Sequence, residues 1–193
     1  LSAVLRLEYE GGHVRWIYTD PSWRYQYGPI RRSNIFDGEI YDASYTLRDW
    51  GCIAGKPAEK PVRILPAPGQ KLMPQTLEPV KNQEIYSAIS VSRIQPGVWS
   101  VDFGQNIAGV CRLRLPSHLS AGQKITISHM EFLNEDGTLF LDPLRNAACV
   151  DQYIASGDER DLTVWEPRFT YHGFRYAQIT GLPEPLKKED IWA

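Results

Sequence analysis

Residues 124–132 read Lys124-Ile125-Thr126-Ile127-Ser128-His129-Met130-Glu131-Phe132, and the alternation of apolar and polar side chains through Ile125 and Ile127 marks a β-strand with one buried face. Turn residues bracket it, Ser120-Ala121-Gly122 before and Asn134 to Gly137 after. Moving outward, the period of two recurs at Ile85 to Ile94, Trp99 to Phe103, Val110 to Leu115, Cys149 to Ala155 and Gly173 to Thr180. Earlier it recurs at Glu39 to Thr46 and in Leu5 to Tyr9 and His13 to Tyr18, which Gly11-Gly12 folds into a hairpin. Further turns fall at Gln95-Pro96-Gly97 and Ser156-Gly157-Asp158. No stretch sustains a 3.6-residue period between helix caps. Many short strands bury their apolar faces only as packed sheets, so the expected class is all-β, with antiparallel sandwich or jelly-roll architecture.

The same stretch poses a question at its end. Strict alternation places His129 and Glu131 on the face of Ile125 and Ile127, where an unpaired buried polar group costs about 1–3 kcal/mol. A β-bulge near Ser128 would turn His129 outward and bring Met130 and Phe132 into the core. The bulge, or a satisfied structural pair, is expected in preference to an acid–base dyad.

The chain has 193 residues with 21 basic and 23 acidic side chains, six Trp, ten Tyr and six Phe. At this length roughly 70% of the unfolded surface is buried on folding, so neither disulfides nor a structural metal is required. A net charge of −2 gives no basic field, and no apolar run approaches the ~18 residues of a membrane helix, so neither nucleic acid nor a membrane is expected as a partner. Cys52, Cys111 and Cys149 lack CxxC spacing and no His stands at metal-ligand distance from them in sequence, so a zinc site is not expected, and the compartment is left open. Residues 56 to 79 carry prolines at 57, 61, 66, 68, 74 and 79, and proline removes the ladder N–H, so central strands are not expected there: the stretch is either an extended edge connection or a link between two sandwiches, which would put a boundary near residue 80. The chain opens on Leu1 with a strand already running, and its last residues, 183 to 193, read as a connector, so it is expected to be part of something larger.

Several groups are candidates for chemistry. In DGEIYDA, Asp37 and Glu39 fall at i and i+2, one face of a strand, with Asp42 nearby, and with the loop-borne Trp23 they are the candidate carbohydrate-binding residues. The stronger reading of these carboxylates is turn chemistry at Asp37-Gly38 and solvated ion pairs with Arg31, Arg32 or Arg48, ahead of both sugar contact and the paired carboxylates of a glycosidase. In WEPRFTYHGFRY, residues 165 to 176, the aromatics are expected mostly in the interior, while Arg168, His172 and Arg175 face a partner or pair with carboxylates. Gly104 and Gly109 in DFGQNIAG are read as backbone positions needing positive φ or close approach. GxSxG, HExxH, the P-loop and GxGxxG are all absent. No catalytic residue is assigned.

The strings TDPSW (19 to 23), GPIRRSNIFDGEIYDA (28 to 43), DFGQNIAG (102 to 109), HMEFLNEDG (129 to 137), Asp151 to Tyr153 with Gly157, and WEPRFTYHGFRY (165 to 176) together resemble the non-catalytic N-terminal β-sandwich region of bacterial α-L-rhamnosidases, which are modular glycoside hydrolases. They occur in the family's order across nearly the whole chain. The resemblance implies two sandwich modules in tandem: residues 1–80 as the latter part of the N-terminal module and 81–182 as a concanavalin-like module, with 183–193 as a linker. Family enzymes continue into an (α/α)₆ barrel that holds the acid and base of an inverting hydrolysis of terminal α-L-rhamnose, and nothing here resembles that barrel. The implied partners are the remaining domains of a parent rhamnosidase and a rhamnose-containing glycan. No cofactor is required, and calcium is the one ion the resemblance suggests, since some relatives bind rhamnose and calcium through the first module. The alternative is a free-standing carbohydrate-binding module.

Overall fold

The computed structural model describes residues 3–49, 51–52, 58, 60–66, 69, 71 and 73–193. Pro57 and Pro68 of the proline-rich stretch lie outside them. The strands are, in chain order, β1 (Val4–Glu8), β2 (Val14–Tyr18), β3 (Arg24–Tyr25), β4 (Ile30–Asn34), β5 (Gly38–Asp42), β6 (Lys60–Pro61), β7 (Ser90–Gln95), β8 (Val98–Gly109), β9 (Arg112–Arg114), β10 (Lys124–Met130), β11 (Val150–Ile154), β12 (Val164–Trp165), β13 (His172–Thr180) and β14 (Ile191–Trp192). Among the described residues the only helical turns are three short 3₁₀ segments, at Ala43–Tyr45, Asp142–Leu144 and Lys188–Asp190.

Two units emerge, Leu1–Tyr27 with Leu47–Pro79, and Gly28–Thr46 with Val80–Ala193. In the first, β1 and β2 pair through Val4↔Tyr18 and Glu8↔Val14, and Gly11 and Gly12 at φ 91° and 81° make the expected turn. β3 pairs with β6 through Arg24↔Pro61, so Pro61 sits on a two-stranded ribbon that asks little of its missing N–H. None of the described residues of this unit is buried.

The second unit holds a seven-stranded sheet in the order β4-β5-β11-β10-β13-β8-β7 and a three-stranded sheet in the order β12-β9-β14. All pairings are antiparallel except that of β5 with β11, which is parallel through Tyr41↔Tyr153. Inward residues of the large sheet, including Val101, Phe103, Ile125, Ile127, Tyr153, Phe174 and Ile179, form one core with Leu113, Trp165 and Ile191 of the small sheet. Trp165 meets Tyr41 and Tyr153 at ring-centroid distances of 6.5 and 5.7 Å. Each large side chain buried this way contributes about 1.5–3 kcal/mol.

Three features differ from the sequence expectation. The hairpin β4–β5 joins the later residues, across the expected boundary near 80, because the β5 edge is hydrogen-bonded to β11. Residues 183–193, expected as a linker, fold back: Leu186 and Ile191 are buried, and β14 pairs with β9 through Ile191↔Leu113. These two apolar anchors flank the charged run Lys187 to Asp190, whose composition conceals them. Finally, Gly104 has the expected positive φ of 86°, where the β13·β8 register shifts between Phe174 and Tyr176, whereas Gly109 shows neither positive φ nor a close neighbour.

Candidate functional site

The four candidate sugar contacts do not share one environment. Trp23, in the first unit, is 40% exposed, and its backbone N–H donates to the Asp20 carbonyl at 3.2 Å. Asp37 lies in the β4–β5 turn, where its carboxylate pairs with Arg32 and accepts from Ala148 N–H at 3.4 Å. Asp42 Oδ1 caps the following 3₁₀ turn, accepting from Ser44 N–H at 3.0 Å and Ser44 Oγ at 2.6 Å. Glu39 is fully buried, because the pleat of β5 turns it, with Tyr41, into the core rather than to the surface beside Asp37.

Glu39 belongs instead to a buried polar group on the inner face of three neighbouring strands and the end of a fourth. β5 contributes Glu39, β11 Asp151, β10 His129 and β13 His172, and all four side chains are closed to solvent. The register explains their meeting: Tyr153↔Tyr41 places Asp151 opposite Glu39, and β10 lies between β11 and β13. No bulge occurs near Ser128. Pairing runs unbroken through Ser128↔Val150 and His129↔Ala177, so His129 continues the inward face of Ile125 and Ile127. Its partner is not Glu131, which accepts from Asn106 Nδ2 at 2.7 Å. The Glu131 acid–base pairing is therefore absent.

The geometry is specific. His129 Nδ1 lies 3.1 Å from the Cys149 carbonyl oxygen, and its Nε2 is 3.7 Å from Asp151 Oδ2. His172 Nε2 lies 3.1 Å from the same Oδ2, and the two imidazoles stack with centroids 4.3 Å apart. Asp151 Oδ1 accepts from Glu39 N–H at 2.8 Å, while Glu39 Oε2 accepts from Arg168 and Phe169 N–H, both at 3.1 Å. Within this group three polar atoms are buried without a hydrogen-bond partner, His129 Nε2, His172 Nδ1 and Glu39 Oε1. Burial holds the His129 pKa down at about 4, reinforced by His172, and burial raises that of Glu39. One ligand atom from each of His129, Asp151 and His172 can be chosen so that all lie within 4.8 Å of one another, a set able to hold a metal ion. Two imidazoles and one carboxylate suit a first-row transition ion better than calcium, which takes oxygen ligands.

Sequence spacing hid this group. His129, Asp151 and His172 stand about twenty residues apart with no metal-ligand interval, and only strand adjacency joins them. The aromatic run 165 to 176 was legible in part: Trp165 and Phe174 are interior, but Phe169 and Tyr171 are 71% and 50% exposed because the chain between β12 and β13 is not a strand. These two line an open groove of about 980 Å³ with Ile35, Ile85, Ile107 and Trp192, all within the second unit. Arg175 pairs bidentately with Asp102, both bonds at 2.9 Å.

A family model for the bacterial α-L-rhamnosidase concanavalin-like domain matches residues 92–193, and one for the α-L-rhamnosidase N-terminal domain matches residues 1–84. The α-L-rhamnosidase of Streptomyces avermitilis is 35% identical over 193 residues, covering 95% of this chain and 18% of that protein. That of Alteromonas sp. is 32% identical, covering 98% and 20%. Among solved structures, the crystal structure of the Streptomyces avermitilis enzyme complexed with L-rhamnose superposes with a TM-score of 0.90 at 35% identity, over 100% of this chain and 18% of that one. The α-L-rhamnosidase from Dictyoglumus thermophilum gives a TM-score of 0.87 at 34% identity, over 98% and 21%. The chain thus spans about a fifth of the length of the relatives it matches.

Proposed function

Because the chain belongs to the α-L-rhamnosidase family, through its N-terminal and concanavalin-like domains, we propose that it acts as an accessory, non-catalytic β-sandwich region of an α-L-rhamnosidase. The parent activity in this reading is hydrolysis of terminal α-L-rhamnose from glycosides. The observation that carries it is the near-complete alignment of this chain to about a fifth of each relative. The carboxylates agree with it: Glu39 and Asp151 are sealed in the core, and Asp37 and Asp102 are engaged with arginines, so these groups do not face one another across an open cleft as glycoside hydrolysis requires. Support for a bracing role comes from the groove edged by exposed Phe169 and Tyr171, apolar surface suited to packing against further domains of a parent rhamnosidase.

A second reading, carbohydrate binding by the first unit, is favoured by its exposed aromatics, Trp16, Tyr18, Trp23, Tyr25 and Tyr27. Aromatic faces of this kind stack on sugar rings, and calcium would be the accompanying ion.

Two measurements on the purified 193-residue chain test these readings. Incubation with an aryl α-L-rhamnoside should give no turnover, and measurable release of the aryl group would overturn the accessory role. Calorimetry with L-rhamnose, with and without calcium, decides the second reading, which a flat trace in both conditions removes.

A further inference from the structure

We propose that His129, Asp151 and His172 form a buried binding site for one first-row divalent transition ion of the zinc class. The inference is independent of the rhamnosidase assignment. It starts from a mismatch of donors and acceptors. The Cys149 carbonyl oxygen can only accept, so at 3.1 Å it fixes the ring proton of His129 on Nδ1. The Nε2 of the neutral ring is then a lone pair. It has no hydrogen-bond partner, and the polar atom it faces, Asp151 Oδ2 at 3.7 Å, is also an acceptor. Two acceptors turned towards each other in a fully buried space repel unless a cation lies between them.

Two of the three ligand separations lie near the value a metal ion sets, and all three ligand atoms lie within 4.8 Å of one another. Ligand bonds of about 2.0–2.1 Å in tetrahedral geometry separate ligand atoms by about 3.3 Å. Asp151 Oδ2 stands 3.1 Å from His172 Nε2 and 3.7 Å from His129 Nε2, on either side of that value. The outer partners are those that orient metal ligands: a backbone carbonyl holds the far nitrogen of His129, and Glu39 N–H holds the far oxygen of Asp151 at 2.8 Å. A divalent ion would also offset the buried charge of Asp151, whose side chain is 0% exposed. His172 Nδ1 lacks a partner whether Nε2 binds metal or donates to Asp151, so it does not discriminate.

Because the ligands are closed to solvent, the ion would enter as the chain folds. The test therefore uses the full chain expressed in zinc-supplemented medium and then unfolded and refolded with either chelator or Zn²⁺. The expected result is one zinc per chain by elemental analysis, a lower melting temperature after refolding with chelator, and its recovery on refolding with Zn²⁺. Refolding with Co²⁺ should give the visible d–d absorption of a low-coordinate site, and His172→Gln should weaken binding by more than about 100-fold. Metal-free protein from zinc-rich medium whose melting is unmoved by Zn²⁺ overturns the proposal, as does full zinc content in folded His172→Gln. A ¹⁵N spectrum of the full chain as purified, showing His129 as an imidazolium at neutral pH, also overturns it, since a proton then occupies Nε2. If His172→Gln does not fold, the wild-type stoichiometry and melting shift decide alone.

Discussion

At Gly38 the backbone runs at φ 100°, and an added Cβ would collide with the Val150 carbonyl oxygen and the Asp151 carboxylate. Gly97, at φ 77°, turns β7 into β8 with nothing within 4 Å of where its Cβ would stand. Gly38→Ala should therefore cost at least about 3 kcal/mol, and Gly97→Ala about 1 kcal/mol. Urea unfolding measures both, and equal midpoints would show that the contact with β11 imposes no constraint. The Asp37-Gly38 dipeptide was legible as a turn. Its second role, letting β5 approach β11, was not, because the partner lies more than a hundred residues away. The same limit hid the buried cluster. Alternation through Ile125 and Ile127 already pointed His129 inward, but its partners Asp151 and His172 become neighbours only once the strand order is known.

Among elements, the junction of β8 and β13 carries a pH dependence of its own. Asp102 on β8 accepts both bonds of Arg175 on β13 and a third from Gly104 N–H at 2.7 Å, and the guanidinium holds its carboxyl below the usual value of 3.8. A carboxylate with a depressed folded pKa stabilises the protein above its unfolded pKa, and that stability is lost as pH falls through the folded value. The acid limb of unfolding, below about pH 4, should thus become shallower in Arg175→Met. At neutral pH the same change should cost about 0.5–1 kcal/mol, since the pair is partly exposed. An unchanged acid limb would show the bridge to be idle. Long strands were readable from alternation, and β10 and β11 match it within a residue or two. The two-residue β12 and β14 were not, since so short a stretch carries no period. Neither was the parallel pairing of β5 with β11, which no local turn dictates.

At the scale of the whole molecule, burial is unevenly shared. The second unit owns the buried core, while the described residues of the first form ribbons with Val4, Leu5, Trp16 and Tyr18 each at least half exposed. Hydrogen exchange should find amides of β1 and β2 at least about 100-fold less protected than those of β10 and β13. Equal protection would mean that cover not evident from these contacts reaches the first unit. Sequence and structure also divide the chain differently: the N-terminal family match runs through residue 84, yet residues 28–46 within it supply β4 and β5 of the large sheet.

That placement has a consequence for how the protein is made. As the chain leaves the ribosome, β4 and β5 emerge before the rest of the large sheet, and the strand that receives them, Val150–Ile154, follows more than a hundred residues later. Until then β5 presents an unpaired edge and Glu39 has neither Asp151 nor the Arg168 and Phe169 amides to meet. The β4–β5 edge of the large sheet cannot close until β11 has been made, so slower translation or chaperone cover over that interval should change the yield of folded protein.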